Sequence, residues 1–510
     1  MSASFVGLTP CPAAPPAGPA YRATALAVVL VLLAPLAATR YAPIVDYPNH
    51  LARTFVLHHY GDVPAFATAY VRALVPIPNV AIDVIVSALQ YVLPPVLAGK
   101  MFLLGVVLLW CWGCHLLGRA IHGRPTWLAL PCMLLAYHGM FQYGFVNYSF
   151  GLGVYLVGLA TWLARRRRWT AGGLALTAAL ATLAYLSHLS AYALFGVSAV
   201  VVTVHDLARR RTTLGAAVAG GLPFVPPLML FAAFMRRGGQ VGGIEWNGVA
   251  GKAIALFSVV RGYDLRVDLA VVAALGSVVT AALVAVWRRG RLTPDGPSLA
   301  TSLVLFVLFI LCPSVLFTSG GADVRVVPPA VVLGILAWHV DLPRRTAAAL
   351  LGATLVLLAA RTAAIGVAWR ALDDRTARTI ALLDRLPEGA SLLPLFTPRA
   401  GLDLAKQDRA LEHAPFYPVI TRRAYVPLMF AVPAQQPIVA RHDGWSTTTP
   451  QELFDRRLDE FQYVWTFGQP APVMARLRAC CDSVAADAGA ELWRVRPRRT
   501  ATSNVLSRAR

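Results

Sequence analysis

RATALAVVLVLLAPLAAT (22–39) followed by RYAPIVDYPNHLAR (40–53) is the stretch that decides the fold. The first part is an apolar run of membrane-spanning length, since about 20 such residues in a helix cover a hydrocarbon core of roughly 30 Å. The second part is where the chain leaves the bilayer, and it gathers an acid, a histidine and an arginine: Asp46, His50 and Arg53. Charge placed at a membrane face is costly enough to invite a functional reading.

The rest of the chain repeats the apolar theme. Of 510 residues, 57% are hydrophobic and 14% charged, and the mean hydropathy is +0.59. Soluble domains carry roughly 25% charged residues, so the sequence predicts a polytopic α-helical membrane protein. The apolar segments are 22–39, 80–98, 101–118, 126–141, 150–164, 171–187, 189–204, 213–234, 268–287, 298–317, 326–340 and 347–369. The net charge of +21 comes from 46 Lys and Arg against 25 Asp and Glu. The arginines sit at joints between apolar runs (Arg165 to Arg168, Arg209 to Arg211, Arg288 with Arg289 and Arg291, Arg344 with Arg345). That distribution marks cytoplasmic loops and contact with anionic membrane lipids, not a nucleic-acid partner. Cys111, Cys114, Cys132 and Cys312 lie inside apolar segments and Cys480 adjoins Cys481, so neither a disulfide framework nor a metal site is expected.

Each arginine-rich joint is separated from the next by two apolar segments, as alternation across a membrane requires. With a cytoplasmic N-terminus the count leaves one segment too many. Either 80–98, which carries Asp83, Gln90 and Pro94-Pro95, is re-entrant, or the pair within 126–164 is not two full spans. The expectation is about 11 spans and one partial segment, 11 to 12 membrane segments in all. The Pro- and Ala-rich N-terminus lacks a basic n-region, so 1–21 reads as a disordered cytoplasmic segment and the first apolar run as a retained anchor. Residues 22–370 form the transmembrane domain, with a first external loop at 40–79. From 371 charge rises, and 371–497 reads as a small extracytoplasmic α/β domain ahead of a disordered basic tail, 498–510. Ser391 to Leu395, Phe461 to Phe467 and Glu491 to Val495 read as strands. Thr449-Pro450-Gln451-Glu452 reads as a capping box opening a helix through Asp459, with a further helix from Pro472 to Cys480.

Asp46, His50 and Arg53 stand at i, i+4 and i+7, so a helix from Pro48 to Tyr60 puts His50 and Arg53 on one face, with Leu51 and Phe55 marking an apolar side. Two readings stay open. In one, Asp46 abuts the helix while His50 and Arg53 meet lipid headgroups on an amphipathic surface helix. In the other, the acid belongs to a site. Further polar groups fall on the same face of the membrane: Tyr143, Asn147 and Tyr148 after His138, His188 between Ser187 and Ser190, Arg261 with Asp264, and Asp323 with Arg325.

A signal-anchor helix, an acid in the first external loop, many spans and a terminal α/β domain together resemble the GT-C class of membrane glycosyltransferases. The Asp46-Tyr-Pro-Asn-His50 stretch carries the sharpest part of the likeness, with Phe141 to Tyr148 and Ser187 to Ser190 similar to uncharacterised bacterial members. The resemblance implies an enzyme of the bacterial inner membrane that moves a sugar from a polyprenyl-phosphate donor to a glycan, lipid or protein acceptor at the extracytoplasmic face. It implies Asp46 as catalytic base; His50, one turn on, is the second catalytic candidate, and the polar groups read onto the same face, Arg53, Tyr143, Asn147, His188, Arg261, Asp323 and Arg325, are the candidate substrate-binding set. Arg325 is the first candidate for the lipid phosphate and Arg261 the second. No cofactor is implied with certainty: a second acid often follows the first in this class, and Tyr47 stands there instead, which disfavours a divalent metal. A transporter or flippase of lipid-linked saccharides, and a polysaccharide polymerase or ligase, are the alternatives.

Overall fold

The structure, a computed structural model, describes residues 18–73, 77–236, 243–316, 319–431, 435–441, 449–487 and 489–497. The tail expected at 498–510 and residues 1–17 of the expected N-terminal segment lie outside the described residues. Helix α1 (Pro19–Ala38) begins inside the segment read as disordered, with proline in its first turn, where the missing N–H is no loss. Next come α2 (Tyr47–His58), α3 (Ala81–Leu89), α4 (Pro95–His122), α5 (Ala129–Met133), α6 (Gly139–Tyr143) and α7 (Val146–Arg165). The bundle continues through α8 (Ala171–Ser187), α9 (Leu189–Ala208), α10 (Leu214–Arg236), α11 (Leu265–Arg289), α12 (Gly296–Leu311), α13 (Val324–Leu336) and α14 (Arg344–Leu383). Seven of these (α1, α4, α7, α9, α10, α11 and α14) are long and apolar enough to cross a membrane, while α8, α12 and α13 are shorter apolar helices.

Two of the apolar segments do not form continuous spans. Segment 80–98 splits at Pro94-Pro95: α3 ends at Leu89 and α4 starts at Pro95, because proline neither continues the preceding helix nor supplies its N–H. Segment 126–141 breaks into α5, a run of turns and α6. The chain still traverses the bundle there. Gly118 meets Thr126 and Ala129 at one end of α4, and Asp46 meets Tyr143 and Gly144 at the other. Helices α4 and α7 therefore run parallel, with Leu109 against Gly153 and Gly113 against Leu156. Irregular backbone inside a bundle is tolerated only when protein groups satisfy it. Trp110 Nε1 donates to the Cys132 carbonyl at 3.0 Å, and the Tyr137 carbonyl accepts from Gln142 Nε2 at 2.6 Å and Arg361 Nη2 at 2.8 Å. The glycines let α4 and α7 pack closely, since a Cβ at Gly113 would stand 2.6 Å from the Leu156 Cβ.

Helix α14 has 40 residues and so runs about 60 Å, roughly twice the hydrocarbon thickness. It has no break at 370, where the sequence placed a domain boundary, and its last turns enter the core of the C-terminal region. That region is built around four strands: β2 (Leu392–Phe396), β4 (Tyr463–Phe467), β5 (Cys481–Asp487) and β6 (Ala490–Val495). They are ordered β5-β6-β4-β2, and only β2 and β4 run parallel. Strand β5 follows directly on a helix and has no clean alternation, which is why its sequence did not disclose it. Helix α15 (Leu402–Arg409) follows β2; α16 (Pro450–Arg457) opens with the capping box on Thr449 and Glu452, and α17 (Ala471–Cys480) leads into β5. The loop expected at 40–79 is part of the same body: its strand β1 (Tyr70–Arg72) pairs antiparallel with β3 (Ile438–Ala440). Ala52, Phe55, Val56 and Phe66 share a core with Leu383, Leu392, Phe416 and Trp465.

Helix α2 is consequently not an amphipathic surface helix. Ten of its 12 residues, Tyr47 to Val56, are buried. The bundle covers one side and the C-terminal region the other, a burial that periodicity within α2 did not reveal.

Candidate active site

Asp46 occupies the N-cap position of α2, with Pro48 in the first turn, yet its carboxylate makes no capping hydrogen bond. The helix end does not use up the acid. The backbone is seated against the broken pass: Asp46 N donates to the Tyr143 carbonyl at 3.1 Å and Val45 N to that of Gln142 at 3.3 Å. Gly144, at φ +106°, lies so close that a Cβ there would fall 2.6 Å from the Asp46 Cβ. Only glycine meets both demands. The Asp46 side chain keeps 17% of its surface open, and His413 Nε2 from the C-terminal region lies 3.3 Å from Oδ1.

His50 is buried one turn further on, with its ring centroid 5.1 Å from that of Phe430. Burial, then the charge of Arg53, holds it well below the usual histidine range against an opposing hydrogen bond with the Gly144 backbone. It is therefore a neutral imidazole at pH 7. Tyr143 is 42% exposed, and Asp46, Arg409 and Glu412 lie within electrostatic reach of its hydroxyl.

Several residues expected to bind substrate are occupied elsewhere. Arg53 is fully buried and bidentate to Asp83, at 2.6 and 2.8 Å, so it ties α2 to α3 and meets no headgroup. Asn147 accepts from Ile82 N at 2.7 Å and donates to the Asn79 carbonyl at 2.8 Å, holding the turn before α3. Asp323 is buried on Lys252 Nζ at 2.8 Å and caps Val324 N. Arg261 is spent on Asp403 at 2.9 Å and docks α15 on the bundle. Beside it sits Lys406, which burial and then Arg261 bring down to about 7, with Asp268 opposing.

Arg325 and His188 stay nearer the site. Arg325 is buried: Nη2 donates to Ser319 Oγ at 2.9 Å and to the Gly320 carbonyl at 3.0 Å, while Nε has no hydrogen-bond partner among the described residues. Its guanidinium lies 4.8 Å from the Phe145 ring centroid, and Phe145 stands 6.0 Å from Tyr143. Tyr148 donates to the Arg325 carbonyl at 2.5 Å, and its ring lies 5.6 Å from that of His188. His188 Nδ1 accepts from Ser190 N at 3.1 Å, capping α9. Segment 143–148 thus joins Asp46, Arg325 and His188 by direct contacts.

His413, Asn49, Arg409 and Glu412 were not singled out by sequence. His413 lies in a polar stretch with no periodic pattern, and 364 residues separate it from its neighbour Asn49. Among the described residues no group of three or more His, Cys, Asp or Glu gathers at metal-holding distance.

No protein-family profile matches the chain, and no curated protein matches its sequence significantly. Solved structures do match. ArnT from Cupriavidus metallidurans, bound to undecaprenyl phosphate, superposes with a TM-score of 0.53 at 13% identity, covering 94% of this chain and 98% of that one. The arabinofuranosyltransferase AftD from Mycobacteria superposes with a TM-score of 0.51 at 13% identity, covering 95% of this chain and 40% of that one. The chain is a multi-pass membrane protein with a GT-C-like fold, the fold it shares with these two structures.

Proposed function

We propose that this protein is a glycosyltransferase that moves a sugar from a polyprenyl-phosphate-linked donor to an acceptor at the extracytoplasmic face of the membrane, with Asp46 as general base. The observation that carries the reading is the Asp46 carboxylate: partly open, free of any capping role, and seated at the bundle end where the first loop and the C-terminal region meet. The fold shared with ArnT, whose bound ligand is undecaprenyl phosphate, supports a donor of that class.

In the reaction, Asp46 accepts the proton of the acceptor hydroxyl as that oxygen bonds to the anomeric carbon. The bond from that carbon to the phosphate oxygen breaks, and its electron pair leaves on the polyprenyl phosphate. A base within hydrogen-bond reach of the hydroxyl contributes about 10² to 10⁴-fold. The leaving group gains charge, which suits a guanidinium. Arg325 is the arginine we assign to it, because its guanidinium bonds only the Ser319 hydroxyl and the Gly320 carbonyl, whereas Arg53 and Arg261 are paired with carboxylates. Tyr143 lies between the two groups. The eleven spans read from the sequence, counted from a cytoplasmic N-terminus, support a location of this end and the C-terminal region outside the cytoplasm of a bacterial inner membrane, where lipid-linked sugars meet envelope acceptors.

The test is transfer of label from a panel of radiolabelled polyprenyl-phosphoryl pentoses and hexoses to an isolated cell-envelope fraction, by the purified protein in phospholipid vesicles. Asp46→Asn and Asp46→Ala are expected to lose about 10² to 10⁴-fold in rate with insertion and melting unchanged. Full activity in a folded Asp46→Ala protein refutes the mechanism.

A further inference from the structure

The C-terminal region does more than cover α2, because it brings a histidine to the carboxylate assigned above as the base. His413 stands just before a short turn at Ala414–Phe416, and its ring lies 5.5 Å from those of both Phe416 and Phe430. Its Nε2 is 3.3 Å from Asp46 Oδ1 and its Nδ1 is 3.3 Å from Asn49 Nδ2.

The orientation of Asn49 decides which ring nitrogen carries the proton. Phe430 N donates to Asn49 Oδ1 at 2.8 Å, so the amide oxygen is committed to the backbone. The amide nitrogen then faces the Leu428 carbonyl and His413 Nδ1, both at 3.3 Å. An amide N–H directed at Nδ1 makes that nitrogen the acceptor, so a single ring proton belongs on Nε2, the nitrogen 3.3 Å from Asp46 Oδ1. Contacts of this kind are often long before substrate binds and shorten in the reacting complex. Tyr143, Arg409, Glu412 and His50 are the other polar groups around this pair.

We propose that His413 is a positioning residue for Asp46: it presents Nε2–H to one carboxylate oxygen, fixes the rotamer, and leaves the other oxygen to the acceptor hydroxyl. The active site is then completed by the C-terminal region, and undocking that region disorders the base. The inference rests on the reading of Asp46 as base.

The assay is the vesicle transfer reaction with whichever labelled donor the wild type turns over, alongside undecaprenyl phosphate binding followed by native mass spectrometry. His413→Leu keeps apolar contacts but has no donor. His413→Gln places an amide Nε2 near the site of the ring Nε2. Losing the fixed rotamer should lower kcat by about 10 to 100-fold in His413→Leu, with donor KM and undecaprenyl phosphate binding unchanged. His413→Gln should recover most of the rate. Equal rates in wild type and His413→Leu, with Asp46→Asn inactive, overturn the role of His413 and leave Asp46 as base. Equal losses in His413→Leu and His413→Gln, or a loss seen only in KM, also overturn it. Full activity in Asp46→Asn overturns the parent reading instead. If His413→Leu does not fold, His413→Gln against wild type and His413→Ala decides by the same criteria.

Discussion

Gly144→Ala is the sharpest test of how Asp46 is held, because it leaves the acid, its charge and its sequence neighbours untouched. The added Cβ would stand 2.5 Å from Asp46 N, 2.6 Å from its Cβ and 2.8 Å from its Cα. Carbon contacts prefer about 3.5 to 4.0 Å, so the two backbones must part by about 1 Å. Overpacking of this kind costs about 1–3 kcal/mol. The left-handed backbone at φ +106° adds about 1–2 kcal/mol for any residue with a Cβ. The total is about 2–5 kcal/mol, and relief comes from moving Asp46. A shift of about 1 Å in a catalytic group costs on the order of 10²-fold in rate. Gly123→Ala separates the terms, since Gly123 also has positive φ but nothing within 4 Å of a built Cβ; it should show the backbone cost alone and keep full activity. Gly196→Ala, in mid-helix with open space around it, should be neutral or stabilising by up to about 1 kcal/mol. Vesicle transfer rates and thermal unfolding of the three variants decide the matter. A Gly144→Ala protein with wild-type rate refutes the claim that the broken pass seats Asp46.

Two further outcomes are expected beyond those for Asp46 and His413. Arg53→Met alone strands the buried Asp83 and should cost about 3–5 kcal/mol, while Arg53→Met with Asp83→Leu should restore most of it; unfolding titrations that show additive losses would refute the pairing. Lys406 titrates near 7 in the fold, against about 10.4 in an unfolded chain. Between those values the unfolded state binds the extra proton, so this group's contribution to stability is lowest below pH 7 and rises toward pH 10. Melting of wild type relative to Lys406→Met should therefore improve from pH 6 to pH 9, and parallel curves would show that Lys406 titrates normally.

How far the site was legible follows from the kind of signal each residue carries. Asp46 was legible because an acid just past an apolar run violates the local pattern. Arg325 was legible for the same reason at the start of α13. Arg53 looked like a headgroup contact because its spacing from Leu51 and Phe55 suggested an amphipathic helix, and nothing nearby in sequence announced Asp83 as a partner. Asn147 and Asp323 are polar for structural reasons, satisfying backbone in the turn before α3 and the charge of Lys252. His413 carried no signal because its meaning depends on a contact with residues near the other end of the chain.

The sequence by itself determined the class of the protein. Apolar runs of membrane length, arginine joints, the strand-like runs that became β2, β4 and β6, and the capping box of α16 all follow from local hydrophobic period and local hydrogen bonding. What only the tertiary structure decided is the environment of each polar group. Burial of α2 between two bodies, the broken pass satisfied by Trp110, Gln142 and Arg361, and the meeting of Asp46 with Gly144 and His413 are long-range events. They arise because a buried polar group must find a partner wherever the fold supplies one, and periodicity along a chain carries no record of which distant residue that will be.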